Sequence, residues 1–266
     1  MTTGIGTAAS ALLDLHNVTV MRGDRTALHD VTLRIHPGER VCILGPNGCG
    51  KSTLIRTITR ECYPVVRPDS WMTLFGVDRW DVFALRARFG IVSPDWLQAC
   101  TTDATGLDVV LSGFFSSTQI FPHHHVDPGQ RARAEAMMRN TGIEHLADRA
   151  LRTMSSGEAK RTLLARALVH NPETLLFDEP TNALDIGARR ALIATIRELT
   201  AEGRGLVLVT HHVSEIIPEI DRVVLMREGR IVASGPKEAV LTEESLRGLF
   251  GVAVRLVRDG GYFHCY

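Results

Sequence analysis

Three short runs in this chain carry residue types suited to phosphate chemistry. The first is Gly45-Pro46-Asn47-Gly48-Cys49-Gly50-Lys51-Ser52-Thr53, which follows the apolar run Val41-Cys42-Ile43-Leu44 and precedes Leu54, Ile55 and Ile58 at helical spacing. It satisfies G-x-x-x-x-G-K-[ST] in the strand-to-helix setting that the motif requires. Glycines there let successive backbone N–H groups converge on phosphate oxygens, a helix N-terminus adds partial positive charge, and Lys51 neutralises the terminal oxygens. Ser52 is expected to ligate Mg²⁺. Alone, such a loop implies a bound nucleotide and leaves open what is done with it.

The second run, Thr174-Leu175-Leu176-Phe177, ends in Asp178-Glu179. As a buried strand it delivers two carboxylates to the sheet edge beside the glycine loop, where Asp178 suits the Mg²⁺ shell and Glu179 can polarise an attacking water. The plainer alternative is a pair that caps the strand end. The third run, Leu206-Val207-Leu208-Val209, ends in Thr210-His211-His212. Its adjacency to the strand end selects His211 as the imidazole that reaches the same edge and senses the γ-phosphate, the alternative being a surface loop residue.

Positioning these groups calls for a mostly parallel α/β sheet, since buried apolar strands alternate with helical stretches. Ahead of it, Leu13, Leu15, Val18 and Val20, then Val31, Leu33 and Ile35, read as an antiparallel β layer over about 12–36, broken at Arg22-Gly23-Asp24. Helical patterning at Asp108 to Phe115 and at Gln130 to Thr141 marks a helical subdomain over about 95–170. Arg222 to Met226 and Arg230 to Ser234 flank Glu228-Gly229 as a hairpin, and the alternation Val252, Val254, Leu256 before Asp259-Gly260-Gly261 suggests another. The expected fold is α/β: a P-loop NTPase core with an antiparallel β subdomain and a helical insert, all in one domain over 12–258.

Composition narrows the partners. The 266 residues are 44% apolar, enough for a core, and 30 basic residues balance 30 acidic ones. That neutrality argues against nucleic acid as a partner. No apolar stretch approaches the ~20 residues of a membrane-crossing helix, and Met1 to Ser10 lack a signal peptide's basic and apolar regions. A cytoplasmic chain is the expectation. The cysteines at 42, 49, 62, 100 and 265 are odd in number and lack paired spacing, so all are expected to be reduced thiols. Cys49 sits where a helix N-terminus can lower a thiol's pKa, although a small filler is the preferred reading. His123-His124-His125 follows Pro122 and reads as a polar loop rather than a metal site.

With Met154-Ser155-Ser156-Gly157-Glu158 opening a helix and Ala183-Leu184-Asp185 following the carboxylate pair, the motifs over about 12–240 resemble those of ATP-binding cassette (ABC) ATPases in order and spacing. The resemblance implies an ATP-hydrolysing subunit of an ABC transporter, acting with ATP and Mg²⁺, or a soluble ABC-type ATPase acting on nucleic acid or protein. It implies a homodimer packed head to tail, in which Ser155, Ser156 and Gly157 touch the γ-phosphate held by the second subunit and Asp185 crosses the interface. Lys51, Glu179 and His211 would be the catalytic groups. A separate transmembrane subunit would hold the dimer at the inner face of the cell membrane.

The pattern departs from the family in places. The usual Leu-Ser-Gly-Gly-Gln has Ser156 for its first glycine and Glu158 for its glutamine, a form similar to a subgroup associated with molybdenum transport and photorepair. The Glu158 carboxylate is expected to need Lys160 or Arg161 to offset it, while Ser155 doubles as an N-cap. The glutamine that reports to the membrane subunit has no direct counterpart: Val92-Ser93-Pro94 occupies its region and the nearest glutamine is Gln98. Where the family stacks an aromatic ring on adenine this chain has Arg22, which can stack its guanidinium on a purine or remain solvated.

Overall fold

A computed structural model describes residues 11–100 and 103–266 of the chain. Strands β1 (Leu13–Arg22) and β2 (Arg25–Ile35) form the expected antiparallel hairpin. The uneven spacing of its inward residues has a local cause. The register slips between the Leu15–Leu33 and Val18–Val31 pairs, and Asn17 sits at φ +49°, so one extra residue is absorbed as a bulge. Leu13, Leu15, Val18 and Val20 therefore share one buried face.

Strand β3 (Arg40–Leu44) enters the glycine loop and helix α1 (Lys51–Ile58) leaves it. Then β4 (Trp71–Leu74) pairs antiparallel with β1, so the N-terminal layer has three strands in the order β2-β1-β4 and extends beyond the expected 12–36. A four-residue strand between loops carries too little alternation to announce itself. Next come α2 (Val82–Arg86), β5 (Phe89–Val92), α3 (Pro94–Cys100), α4 (Gly106–Ser112), α5 (Pro128–Asn140) and α6 (Ser156–Leu168). The remaining order is β6 (Thr174–Asp178), α7 (Ile186–Ala201), β7 (Gly205–Thr210), β8 (Arg222–Arg227), β9 (Arg230–Pro236), α8 (Lys237–Val240), α9 (Glu243–Phe250), β10 (Leu256–Asp259) and β11 (Tyr262–Cys265). The last hairpin begins at Leu256, so Val252 and Val254 precede it instead of opening it.

The main sheet runs β5-β6-β7-β3-β8-β9, parallel throughout except for the β8–β9 hairpin. Strands β6, β7 and all of β3 after Arg40 are buried, as strands covered on both faces must be. Their carboxyl ends lie side by side, with Leu44 opposite Thr210 and Asp178 opposite Val209. That register brings the three sequence runs to one edge.

Helix α6 joins the subdomains. Leu164, Ala167 and Leu168 pack with β6 and β7, while Ala165 and Val169 pack with Leu107, Val110 and Met138 of the helical insert. Buried Arg166 donates to Ser112 Oγ at 3.2 Å and to Ser117 O at 2.7 Å, with Trp96 4.1 Å from its guanidinium. Its burial pushes the guanidinium pKa down to about 10.

Candidate functional site

The glycine loop is held open by its own backbone. Gly50 caps α1 at φ 104°, and a Cβ there would lie 2.6 Å from Ala27 O on β2. The position thus demands glycine on both conformational and steric grounds. Lys51, almost completely buried, donates from Nζ to Gly45 O at 2.9 Å and to Pro46 O at 3.0 Å, curling the loop around its ammonium.

Across the edge, Glu179 Oε1 lies 3.5 Å from Lys51 Nζ and 3.1 Å from His211 Nδ1. The three groups expected to act together do converge. Glu179 holds a left-handed φ of +47°, and its N–H donates to Val209 O at 2.9 Å. A non-glycine residue persists in that region only where its surroundings over-determine it.

Asp178, 3% exposed, has an Oδ1 with no hydrogen-bond partner. Burial raises its carboxyl pKa to about 6, against the lowering effect of a hydrogen bond from Ser52. A buried, under-satisfied carboxylate oxygen beside a hydroxyl is an oxygen donor set suited to a divalent cation. These are the residues assigned to Mg²⁺ from sequence.

Ser155, Ser156, Gly157 and Asp185 occupy a different place. Ser155 and Glu158 form a reciprocal capping box at the start of α6, with Ser155 N–H donating to Glu158 Oε2 at 2.7 Å and Glu158 N–H donating to Ser155 Oγ at 3.3 Å. Ser155 is thus the N-cap, and the capping hydrogen bonds from Ser155 hold the Glu158 carboxyl below the usual range. The positive partner of Glu158 is Arg149, at 3.3 Å, in place of the expected Lys160 or Arg161. Lys160 instead turns inward and donates to Asn182 O, and desolvation lowers its pKa to about 8.

Ser156 Oγ donates to Ala183 O at 3.2 Å, a bond that glycine could not make. Asp185 caps α7, its Oδ1 accepting from Ala188 N at 2.8 Å. Ser155, Gly157 and Asp185 line one cleft of about 350 Å³ that Lys51, Glu179 and His211 do not line. Ser156 and Lys160 line that cleft and also border a smaller cavity behind Asp178 and Glu179.

Other sequence-selected residues stand apart from the converging cluster. Arg22 ends β1, is exposed, and donates from Nη1 to Cys62 Sγ at 3.5 Å. Cys49 is buried, and desolvation raises its thiol pKa rather than lowering it, so the filler role fits. Cys42, Cys49, Cys62 and Cys265 are thiols outside any disulfide. Gln98 lies exposed on α3, while Ser93 Oγ accepts from Trp96 N at 3.3 Å to open that helix and Asp95 pairs with Arg56 Nη2 at 2.5 Å. In the histidine run, His123 stacks on Phe121 and His124 on Phe115.

Two residues that sequence reading passed over, Thr181 and Glu215, join this edge. Thr181 was visible as the residue after Asp178-Glu179-Pro180, whereas nothing in the spacing singled out Glu215.

Comparison with known proteins places the arrangement. A family model described as ABC transporter matches residues 28–182. The chain is 32% identical over 254 residues to a hemin import ATP-binding protein of Hahella chejuensis, covering 90% of this chain and 93% of that one. It is 32% identical over 251 residues to a manganese transport system ATP-binding protein of Bacillus subtilis, covering 93% and 95%. Among solved structures it resembles a dimeric ATP-binding cassette in a post-hydrolysis state bound to ADP and Pi, with TM-score 0.70 and 26% identity over 84% of this chain and 98% of the other.

Proposed function

The chain belongs to the ABC transporter family as an ATP-binding subunit with ATPase activity, and from that membership we propose that two copies close head to tail on ATP to drive a separate membrane-spanning partner. One observation carries the reading. Ser155, Gly157 and Asp185 share a cleft that Lys51, Glu179 and His211 do not line, and of the two serines Ser156 alone also borders the smaller cavity next to Glu179. A triphosphate on the glycine loop of one copy therefore finds its second wall on a twin, whose α6 N-terminus offers N–H groups and partial positive charge.

In this mechanism the loop from Gly45 to Thr53 cradles the phosphates with its backbone N–H groups, those of Asn47, Gly48 and Cys49 among them, while Pro46, which has none, shapes the turn. Lys51 leaves its carbonyl partners for the terminal phosphate oxygens. Glu179 accepts a hydrogen bond from the attacking water and aligns it with the phosphorus, while His211, hydrogen-bonded to Glu179, steadies both the carboxylate and the γ-phosphate. Ser52 and Asp178 would hold Mg²⁺, which supplies neutralisation of developing phosphate charge when bound. Arg22 is assigned the adenine face. Ser155, Ser156 and Gly157 meet the γ-phosphate of the opposite copy, and Asp185 reaches across the interface.

Relatives named for hemin import and manganese transport favour a transporter. Import is the direction we assign. Among the described residues no helix is long and apolar enough to cross a membrane, so attachment at the cytoplasmic face would come through the partner. Specific activity measured over a dilution series tests the dimer: it should fall as the chain is diluted. A constant specific activity at every dilution contradicts the shared site. Co-purification with a multi-span protein supports transport, whereas a chain stimulated by DNA or RNA without such a partner contradicts it.

A further inference from the structure

We propose that Glu215 is a positioning residue for hydrolysis, clamping the loop that carries Glu179 to the loop that carries His211. Glu215 lies in the single 3₁₀ turn Val213–Glu215 after β7 and is 2% exposed. Its two carboxylate oxygens are divided between the loops: Oε1 accepts from Thr181 Oγ1, and Oε2 accepts from Thr210 Oγ1 at 2.5 Å. Thr181 is two residues beyond Glu179, and Thr210 immediately precedes His211. The Thr210 hydroxyl in turn accepts from His212 N–H at 3.0 Å.

A buried carboxylate is costly to keep unless hydrogen bonds satisfy it, and here they come from the two hydroxyls that flank the catalytic pair. Lys160 adds a second tie to the same loop by donating from Nζ to Asn182 O. The strained backbone of Glu179 needs such over-determination. The 3.1 Å contact between Glu179 and His211 therefore depends on a bridge that touches neither side chain. ATP binding depends on it far less, because Lys51 and the glycine loop are held separately through Gly45 and Pro46.

This inference rests on the ATPase reading, and the experiment distinguishes the two. Steady-state hydrolysis by Thr181→Val, Thr210→Val and Glu215→Gln, measured well below each variant's Tm, should show kcat lowered about tenfold with KM for MgATP within about twofold of wild type. Thr181→Ser, which keeps the hydroxyl, should restore kcat. Combining Thr181→Val with Glu215→Gln should add little to either alone, as expected for one shared bridge. Unchanged kcat in the valine variants overturns the inference, as does a parallel change in kcat and KM that serine does not rescue. A wild-type chain inactive with MgATP overturns the ATPase reading and this inference together, whereas an active wild type with unaffected variants overturns the inference alone.

Discussion

The sheet edge and the α6 turn both present groups suited to phosphate, but they are built by opposite means. At the edge, parallel register carries Lys51, Asp178, Glu179 and His211 to one place from three strands, and their contacts are long-range in sequence. At the turn, Ser155 and Glu158 satisfy one another locally, while Glu158 also pairs with Arg149 and Ser156 and Lys160 reach to Ala183 and Asn182. Chemistry is concentrated where the fold enforces convergence. The turn is locally self-satisfied, and in the proposed dimer it would face the nucleotide of the other copy.

The largest effect that would sharpen this contrast is at the edge. Lys51→Ala should lower MgATP turnover by about 10²-fold or more, since it removes the buried ammonium proposed to meet the terminal phosphate. A variant within tenfold of wild type would break the convergence picture.

Asp178→Asn should act on stability as well. The folded-state carboxyl pKa, about 6, lies above its ordinary value of 3.8, so the native state favours the protonated form and ionisation at neutral pH destabilises it. Without nucleotide or magnesium, Asp178→Asn should therefore gain about 3 kcal/mol at pH 7.5. The gain should shrink as pH falls through 6 and disappear near 4. Thermal unfolding at both ends of that range checks the sign, and a gain independent of pH would show that ionisation is not the cause.

At the turn the expected effect is smaller. Ser155→Ala removes the α6 cap and should cost about 1 kcal/mol, or a Tm lower by about 2–4 °C for a chain of this length. A Tm equal to wild type would mean that the capping box contributes nothing. Arg22→Ala is the mildest change: KM for ATP should rise several-fold with kcat kept, and an unchanged KM would remove Arg22 from the adenine face.

The same contrast explains what could be read from residues alone. The three runs were legible because a buried strand followed by glycine, carboxylate or histidine leaves a strong local mark, and their alternation with helical stretches implied a mostly parallel sheet, though not its strand order. The β1 bulge was not among the expectations, although the uneven spacing of Leu15 and Val18 reflects it. Short β4 left no such mark, and the C-terminal strand began later than the valine alternation implied.

Long-range side-chain choices were also invisible in sequence. Glu158 finds Arg149 because the capping box turns its carboxylate away from Lys160, and Lys160 finds a backbone carbonyl instead. Burial decided Cys49: a helix N-terminus favours thiolate, but the loss of water outweighs it. Glu215 was one glutamate among ordinary residues until β6 and β7 brought Thr181 and Thr210 to it.

The central claim, that the catalytic edge of one copy is completed by the turn of another, is tested most directly by sizing Glu179→Gln in MgATP. With hydrolysis blocked and binding intact, the apparent mass should double in MgATP and return to that of a single chain when nucleotide is removed. A Glu179→Gln chain that binds ATP with wild-type affinity yet stays monomeric at every concentration would contradict it.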